Sequence, residues 1–131
     1  YYFDSRKEGR QRTDEEHYTE LEKLADGLHI SAVIVDPSAA SFIEVIRRHG
    51  RFRVEKASNA VIDGIRNVAT RLQCGDIFIC DCCTDCIREF GMYRWDEKAL
   101  MDKPIKENDH SMDDVRYFVH KVFAPELFSF K

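Results

Sequence analysis

The sequence predicts an α/β protein with a mainly parallel central sheet flanked by helices. Several segments carry apolar residues at every third or fourth position, which is typical of amphipathic helices. Between these segments lie short runs rich in β-branched residues, such as Ile30–Val35, without alternating polarity. Because strands that are buried on both faces lose this alternation, the order of the segments indicates parallel pairing.

The first part of the chain predicts a strand, a charged connection and a helix. Tyr1–Asp4 is expected to be the strand and Ser5–Arg12 the connection. Thr13 followed by Glu16 predicts a capping box at the start of the helix. The buried stripe of this helix is expected to contain Tyr18, Leu21, Leu24, Ala25 and Leu28.

A strand–helix–strand unit is predicted next. Ile30–Val35 reads as a central strand, and Asp36 and Pro37 end it. A helix with an apolar face follows and is expected to end at Gly50, since glycine readily adopts the left-handed conformation that closes helices. Phe52–Lys56 alternates in polarity and predicts a second strand.

The remaining residues predict three helices and one more strand. Ser58 or Asn59 is expected to cap a helix that Gly75 closes, and Ile77–Cys80 reads as a third buried strand. Thr84 is expected to cap the next helix. A loop then spans residues 96–108. The inward residues of these last two helices are predicted to be Ile87 and Phe90, then Val115, Phe118, Val119 and Val122, with Pro125 ending the last one.

Composition limits the classes of function. The chain has 131 residues, 44% of them hydrophobic, which predicts one compact domain covering residues 1–131. The net charge of −4 argues against a nonspecific nucleic-acid coat, because such coats depend on Lys and Arg neutralising phosphates. The apolar runs are too short to span a bilayer. A start at Tyr1 without Met leads us to expect a piece of a longer protein.

Asp36 is a candidate ligand because of its place at the carboxyl end of a predicted strand. Ligand sites of open α/β sheets lie outside those ends. The same residue can instead begin a turn with Pro37 or cap the next helix. Position alone leaves both interpretations open.

A second acidic group lies near His110. Asp113 and Asp114 follow this histidine by three and four residues, so either shares a helix face with it. Acidic residues in a first helical turn also interact favourably with the helix dipole without any ligand. Together with Asp36 the group predicts a divalent-metal phosphodiesterase site, in which carboxylates hold the metal.

The cysteines raise an alternative. Cys80, Cys82, Cys83 and Cys86 fall within seven residues, and Cys83 and Cys86 have zinc-ligand spacing. No distant second pair of this spacing exists, so we favour reduced, partly buried thiols over zinc. The alternative function is a non-catalytic interaction module for DNA or protein that zinc stabilises.

The stretch from Val35 to Val68, "VDPSAASFIEVIRRHGRFRVEKASNAVIDGIRNV", resembles the C-terminal nuclease domain of the large terminase subunit of tailed bacteriophages and prophages. "IREFGMYRWDEKA" and "DKPIKENDHSMDDVRYF" share the likeness, which covers nearly all of the chain. The resemblance implies a ribonuclease H-like fold and a nuclease that cuts concatemeric double-stranded viral DNA during genome packaging. The packaging ATPase of such a subunit lies outside this sequence.

The resemblance also implies the site. Asp36 matches the second acidic ligand of the family's two divalent ions, Mg²⁺ or Mn²⁺. Asp113 matches the third, which selects it over Asp114, and His110 matches a histidine beside the metals. The first acidic ligand belongs to an N-terminal hairpin upstream of Tyr1, so we expect those strands to be missing, the site to be incomplete, and Asp4 to be a poor substitute.

The expected partners follow from the same likeness. They are double-stranded DNA and, through the full-length subunit, the terminase small subunit and the portal protein, in the cytoplasm of a bacterial host. Candidate DNA-backbone contacts are Arg47, Arg48, Arg51, Arg53, Lys56, Lys103 and Lys106. Another ribonuclease H-like nuclease, of the resolvase or integrase type, is a further alternative.

Overall fold

The computed structural model describes residues 1–107 and 109–127, which form two compact units, one of Tyr1–Ala57 and one that begins at Ser58. The first unit contains helices α1 (Ser5–Glu8), α2 (Asp14–Leu24) and α3 (Ala40–His49), with strands β1 (Val33–Val35) and β2 (Val54–Lys56). The second contains α4 (Val61–Cys74), α5 (Thr84–Met92) and α6 (His110–Leu127). None of the described helices is long and apolar enough to cross a membrane.

The predicted parallel pairing is confirmed in the first unit. Strands β1 and β2 pair in parallel, with Val33 beside Val54 and Val35 beside Lys56. Helix α3 connects them and ends at Gly50 with φ 68°, as predicted. The described sheet has two strands, so β1 is not seen as the centre of a larger sheet.

The start of the chain differs from its prediction. Residues 1–4 are not a strand. Asp4 instead caps the short helix α1, because its Oδ1 accepts a hydrogen bond from the Arg6 N–H at 3.0 Å. The capping box of α2 is confirmed: Thr13 Oγ1 accepts from the Glu16 N–H at 3.2 Å, and Glu16 Oε2 accepts from the Thr13 N–H at 2.8 Å.

The core of the first unit is apolar. Helix α2 buries Tyr18, but Leu24 and Leu28 are exposed, so the predicted stripe is too long. For Leu28 the reason is that α2 ends at Leu24, so Leu28 lies beyond the helix. The buried core residues of this unit are Tyr18, Ala25, Val35, Ile43, Val45, Ile46 and Phe52.

Several predictions for the second unit are wrong, and the first two concern the residues before α4 and those after it. Residues 77–80 are not a strand, and the Phe78 side chain is 85% exposed. No described strand lies beside this segment to complete its backbone hydrogen bonds, and a strand needs such a neighbour. Neither Ser58 nor Asn59 caps α4: the capping position is Ala60, whose side chain makes no cap hydrogen bond. The predicted closure at Gly75 is confirmed, with φ 72°.

Helix α5 also differs from its prediction, in its capping residue and in the residues it buries. Cys83, rather than Thr84, occupies the position before the helix. Ile87 is exposed and Glu89 is fully buried, because α5 packs through a polar contact that the apolar pattern cannot indicate. Beyond α5, the predicted loop holds one short antiparallel bridge, between Trp95 and Pro104, and its predicted end at Asn108 lies outside the described residues.

Helix α6 begins earlier and ends later than predicted. It starts at His110 rather than near Asp113, and it passes Pro125 to end at Leu127. Val119 is fully buried as predicted, whereas Phe118 and Val122 are exposed. The buried residues of the described part of this helix are Ser111, Met112, Arg116, Tyr117 and Val119.

Candidate metal centre

Asp36 lies in the turn that follows β1. Its Oδ1 accepts hydrogen bonds from the Ser38 N–H at 2.8 Å and from Ser38 Oγ at 2.7 Å. Its backbone carbonyl accepts from the Ala39 N–H at 3.0 Å. The carboxylate is therefore oriented by its own turn, at the carboxyl end of a parallel strand as predicted. The turn role and a ligand role are compatible, since a carboxylate offers two oxygens and about four acceptor positions.

His110 and Asp113 lie in the first turn of α6. His110 is exposed, Asp113 is partly buried, and Asp114 is exposed. Asp113 is tied to the helix start through its N–H, which donates to the Asp109 carbonyl at 2.9 Å. The structure thus distinguishes Asp113 from Asp114 by burial, which the spacing alone did not do.

Two cations contact the Asp113 carboxylate. Arg116 Nη2 donates to Oδ1 at 2.9 Å, and Lys106 Nζ lies 3.6 Å from Oδ2. The same Lys106 nitrogen lies 3.5 Å from Oδ2 of Asp109, a buried residue. A positive charge is therefore placed between two carboxylates, Asp109 and Asp113.

Arg116 is held firmly. Only 4% of it is exposed, and its guanidinium carbon lies 4.9 Å from the centre of the Tyr117 ring. Gly64 on α4 makes room for it, because a Cβ there would lie 2.5 Å from Arg116 Cγ. The sequence analysis missed this residue, although opposite charges three residues apart, as in Asp113 and Arg116, were a usable signal.

Glu89, on α5, makes a direct hydrogen bond to the first turn of α6. This fully buried carboxylate accepts a hydrogen bond from the Ser111 N–H at 2.6 Å through Oε2. A negative charge at a helix N-terminus is favourable because the free N–H groups there carry partial positive charge. No local pattern indicated this contact, since the two residues are 22 positions apart.

The environment of Asp113 also affects a neighbouring phenol. Burial, and then the negative charge of Asp113, raise the pKa of Tyr93, while Arg116 opposes the shift. The phenol therefore stays protonated over a wider pH range. It can serve as a neutral hydrogen-bond donor close to this carboxylate.

The predicted metal ligands are distributed over both units. Asp36 belongs to the Tyr1–Ala57 unit, and His110 and Asp113 belong to the other. Around Lys106, the oxygens of Asp109 and Asp113 suit a hard divalent cation such as Mg²⁺ or Mn²⁺. Within the described ranges, no group of three or more His, Cys, Asp or Glu side chains is placed to hold a metal ion.

The basic side chains predicted to contact DNA are all exposed. Three of them form ion pairs with acidic residues of the first unit: Arg48 with Glu15 at 3.8 Å, Arg51 with Glu22 at 3.7 Å, and Arg53 with Glu55 at 3.0 Å. Such exposed pairs contribute little and rearrange easily. The DNA contacts stay a prediction.

The cysteines are free thiols. Cys80, Cys82 and Cys83 are exposed and Cys86 is partly buried, so the burial predicted for them applies to Cys86 alone. Desolvation, and then the neighbouring Cys82, raise the pKa of Cys83, and desolvation also raises that of Cys86. Both thiols therefore stay protonated over a wider pH range. Among the described residues these cysteines are not placed as a group of three or more metal ligands, so the zinc-stabilised module gains no support from them.

These features define an α/β protein with carboxylates at the end of a parallel strand and in the first turn of a helix. No family model matches the chain. It is homologous to large terminase: it is 48% identical to the large terminase of a thermophilic bacteriophage, solved in complex with ADP, with a TM-score of 0.89 over 98% of this chain. A second crystal form of that phage protein matches with 49% identity and a TM-score of 0.89 over 94% of this chain.

A further relative is the terminase large subunit of Escherichia phage T5, which is 24% identical over 128 residues, 93% of this chain. The chain spans 29% of the T5 protein and 32% of the protein from the thermophilic phage. The resemblance to terminase large subunits is thus confirmed, for a segment of about a third of their length.

Proposed function

We propose that this chain is a metal-dependent endonuclease segment of a phage terminase large subunit, with a ribonuclease H-like fold, that cuts concatemeric double-stranded DNA during genome packaging. The homology to large terminases supports the packaging role. The single observation that supports the metal-dependent chemistry is the pair of carboxylates at the start of α6, Asp109 and Asp113, whose Oδ2 atoms lie 3.5 and 3.6 Å from the Lys106 ammonium nitrogen. It favours a terminase nuclease over a zinc-stabilised module.

In this proposal each residue has a distinct part. Asp36 and Asp113 bind divalent ions, Mg²⁺ or Mn²⁺. When bound, these ions supply an activated water and stabilise the leaving oxygen of the phosphodiester. His110, exposed on the first turn of α6, orients that water or assists the proton transfer. Arg116 keeps the Asp113 carboxylate in a fixed orientation.

The partners follow from the same proposal. The substrate is duplex DNA, contacted through its backbone by the exposed basic residues of the first unit and by Lys103 and Lys106. The terminase small subunit and the portal protein would be reached through the full-length subunit, in the cytoplasm of the bacterial host.

The experiment is a plasmid-nicking assay with Mn²⁺ on the full-length subunit that contains this segment, since the segment alone is expected to cut poorly, combined with calorimetric measurement of Mn²⁺ binding. Asp36→Ala and Asp113→Asn are each expected to reduce nicking by about 100-fold or more and to weaken Mn²⁺ binding, because each removes a ligand. The matched control is Asp114→Asn, an exposed neighbour that should leave both quantities nearly unchanged. Nicking that survives Asp36→Ala and Asp113→Asn would contradict the proposal.

A further inference from the structure

We propose that Lys106 is a displaceable counter-ion for the Asp109–Asp113 carboxylate pair, so that a divalent cation must replace its ammonium group to bind there. This inference rests on the proposed function and concerns the regulation of the same site. It assigns opposite roles to the two cations around Asp113. Lys106 leaves when metal binds, and Arg116 stays.

The position of the Lys106 ammonium supports the first role. It lies 3.5 Å from Oδ2 of Asp109 and 3.6 Å from Oδ2 of Asp113, so both carboxylates share one positive charge. Two carboxylates that share one site repel each other, and a cation between them offsets that repulsion. Without metal, the ammonium group supplies that charge. A divalent ion supplies twice the charge and also makes direct bonds to the oxygens.

The exposure of the two cations decides which one leaves. The Lys106 side chain is 60% exposed, whereas that of Arg116 is only 4% exposed. Moving Lys106 into water costs little, because it is largely hydrated already. Moving Arg116 would break a 2.9 Å hydrogen bond and disturb its packing against Gly64.

The backbone near Lys106 does not have to move. The Ile105 N–H donates to the Arg94 carbonyl at 3.0 Å, and Pro104 is bridged to Trp95. The chain is therefore anchored up to the residue before Lys106. Rotation about the four side-chain bonds of a lysine is enough to take the ammonium away from the carboxylates.

The test is Mn²⁺ binding to the 131-residue chain, followed by the electron paramagnetic resonance signal of free Mn²⁺. Lys106→Met removes the charge and retains much of the apolar stem. It is expected to tighten Mn²⁺ binding about two- to fivefold, the size of effect of a partly exposed ion pair. Lys106→Arg keeps the charge and should not tighten binding. The control is Lys98→Met, which removes an exposed charge from the same loop.

The outcomes separate this inference from the function on which it rests. Tighter binding in Lys106→Met but not in Lys98→Met, lost again when Asp113→Asn is added, supports the counter-ion role. Equal or weaker binding in Lys106→Met, with wild-type binding that depends on Asp113, overturns the counter-ion role and leaves the metal site standing. Mn²⁺ binding that is insensitive to Asp113→Asn in both backgrounds overturns the proposed site and the counter-ion role together.

Discussion

The two units of the chain are stabilised by different kinds of contact. In the first, the core is apolar, and the caps are local and exposed, as in the Thr13–Glu16 capping box. In the second, charged residues are buried: Glu89 holds the N-terminus of α6, and Arg116 holds Asp113. The comparison shows that the acidic site of α6 depends on polar contacts inside the protein, whereas Asp36 depends on its own turn.

This difference has an energetic consequence. Removing an exposed partner leaves a group that water can satisfy, so the loss is small. Removing a buried partner leaves a polar group without hydrogen bonds in a place that water cannot reach, and the loss is larger. The second unit should therefore be the more sensitive of the two to single substitutions of charged residues.

The largest effect on stability is expected at the buried helix cap, Glu89, compared with the exposed cap at Thr13. Glu89→Ala should lower the free energy of unfolding by about 2–4 kcal/mol, because it leaves the buried Ser111 N–H without its acceptor. Thr13→Ala removes the exposed cap of α2 and should cost about 1 kcal/mol. Urea denaturation measures both, and Glu89→Gln, which keeps an acceptor oxygen, should fall between them. Equal costs for the two alanine variants would contradict the distinction between the units.

A smaller effect is expected where Arg116 is packed. Gly64→Ala should destabilise the protein by about 1–3 kcal/mol, since the new Cβ would overlap Arg116 Cγ. The matched control is Gly91→Ala on α5, where no atom lies within 4 Å of the new Cβ. For Gly91→Ala we expect the free energy of unfolding to rise by up to about 1 kcal/mol. Thermal unfolding of the two variants checks this, and a neutral Gly64→Ala would show that Arg116 is not held as described.

The smallest effect concerns acid stability of the first unit. Hydrogen bonds from Arg10 and then from the Thr13 N–H lower the pKa of Glu16 from its ordinary 4.5 to about 2. A carboxyl whose pKa is lower in the folded state stabilises that state above pH 4.5, and the contribution is lost as the pH falls through about 2. Wild type should therefore lose stability relative to Glu16→Gln between these two values.

Urea denaturation at several pH values measures this difference. Glutamine keeps an acceptor for the Thr13 N–H but carries no charge, so the capping geometry is matched. Glu97→Gln, at an exposed position in the loop after α5, is the charge control. A gap between wild type and Glu16→Gln that stays constant from neutral pH to pH 2 would count against the Glu16 contribution.

Much of the first unit was predictable from the sequence because its signals are local. The capping box at Thr13, the helix end at Gly50 and the position of Asp36 after β1 each involve residues within a few positions of one another. The errors lie where a segment needs a distant partner. Residues 77–80 have the composition of a buried strand, yet no described strand pairs with them, and Phe78 is exposed.

The candidate site was predictable only in part for the same reason. The resemblance to large terminases selected Asp36, His110 and Asp113, and their roles stay predictions. The DNA contact predicted for Lys106 stays a prediction, and no local pattern indicated that its ammonium group lies beside two carboxylates. No sequence pattern indicated the role of Glu89, because the residue it contacts, Ser111, lies 22 positions away.

The sequence by itself determined the capping box of α2, the helix ends at Gly50 and Gly75, and the parallel strand–helix–strand unit. Only the tertiary structure decided how the carboxylate of Asp113 is held, between the buried Arg116 and the exposed Lys106. The physical reason is that caps and turns depend on hydrogen bonds between near neighbours. The environment of a carboxylate depends instead on which distant side chains are packed around it and on how much water they exclude.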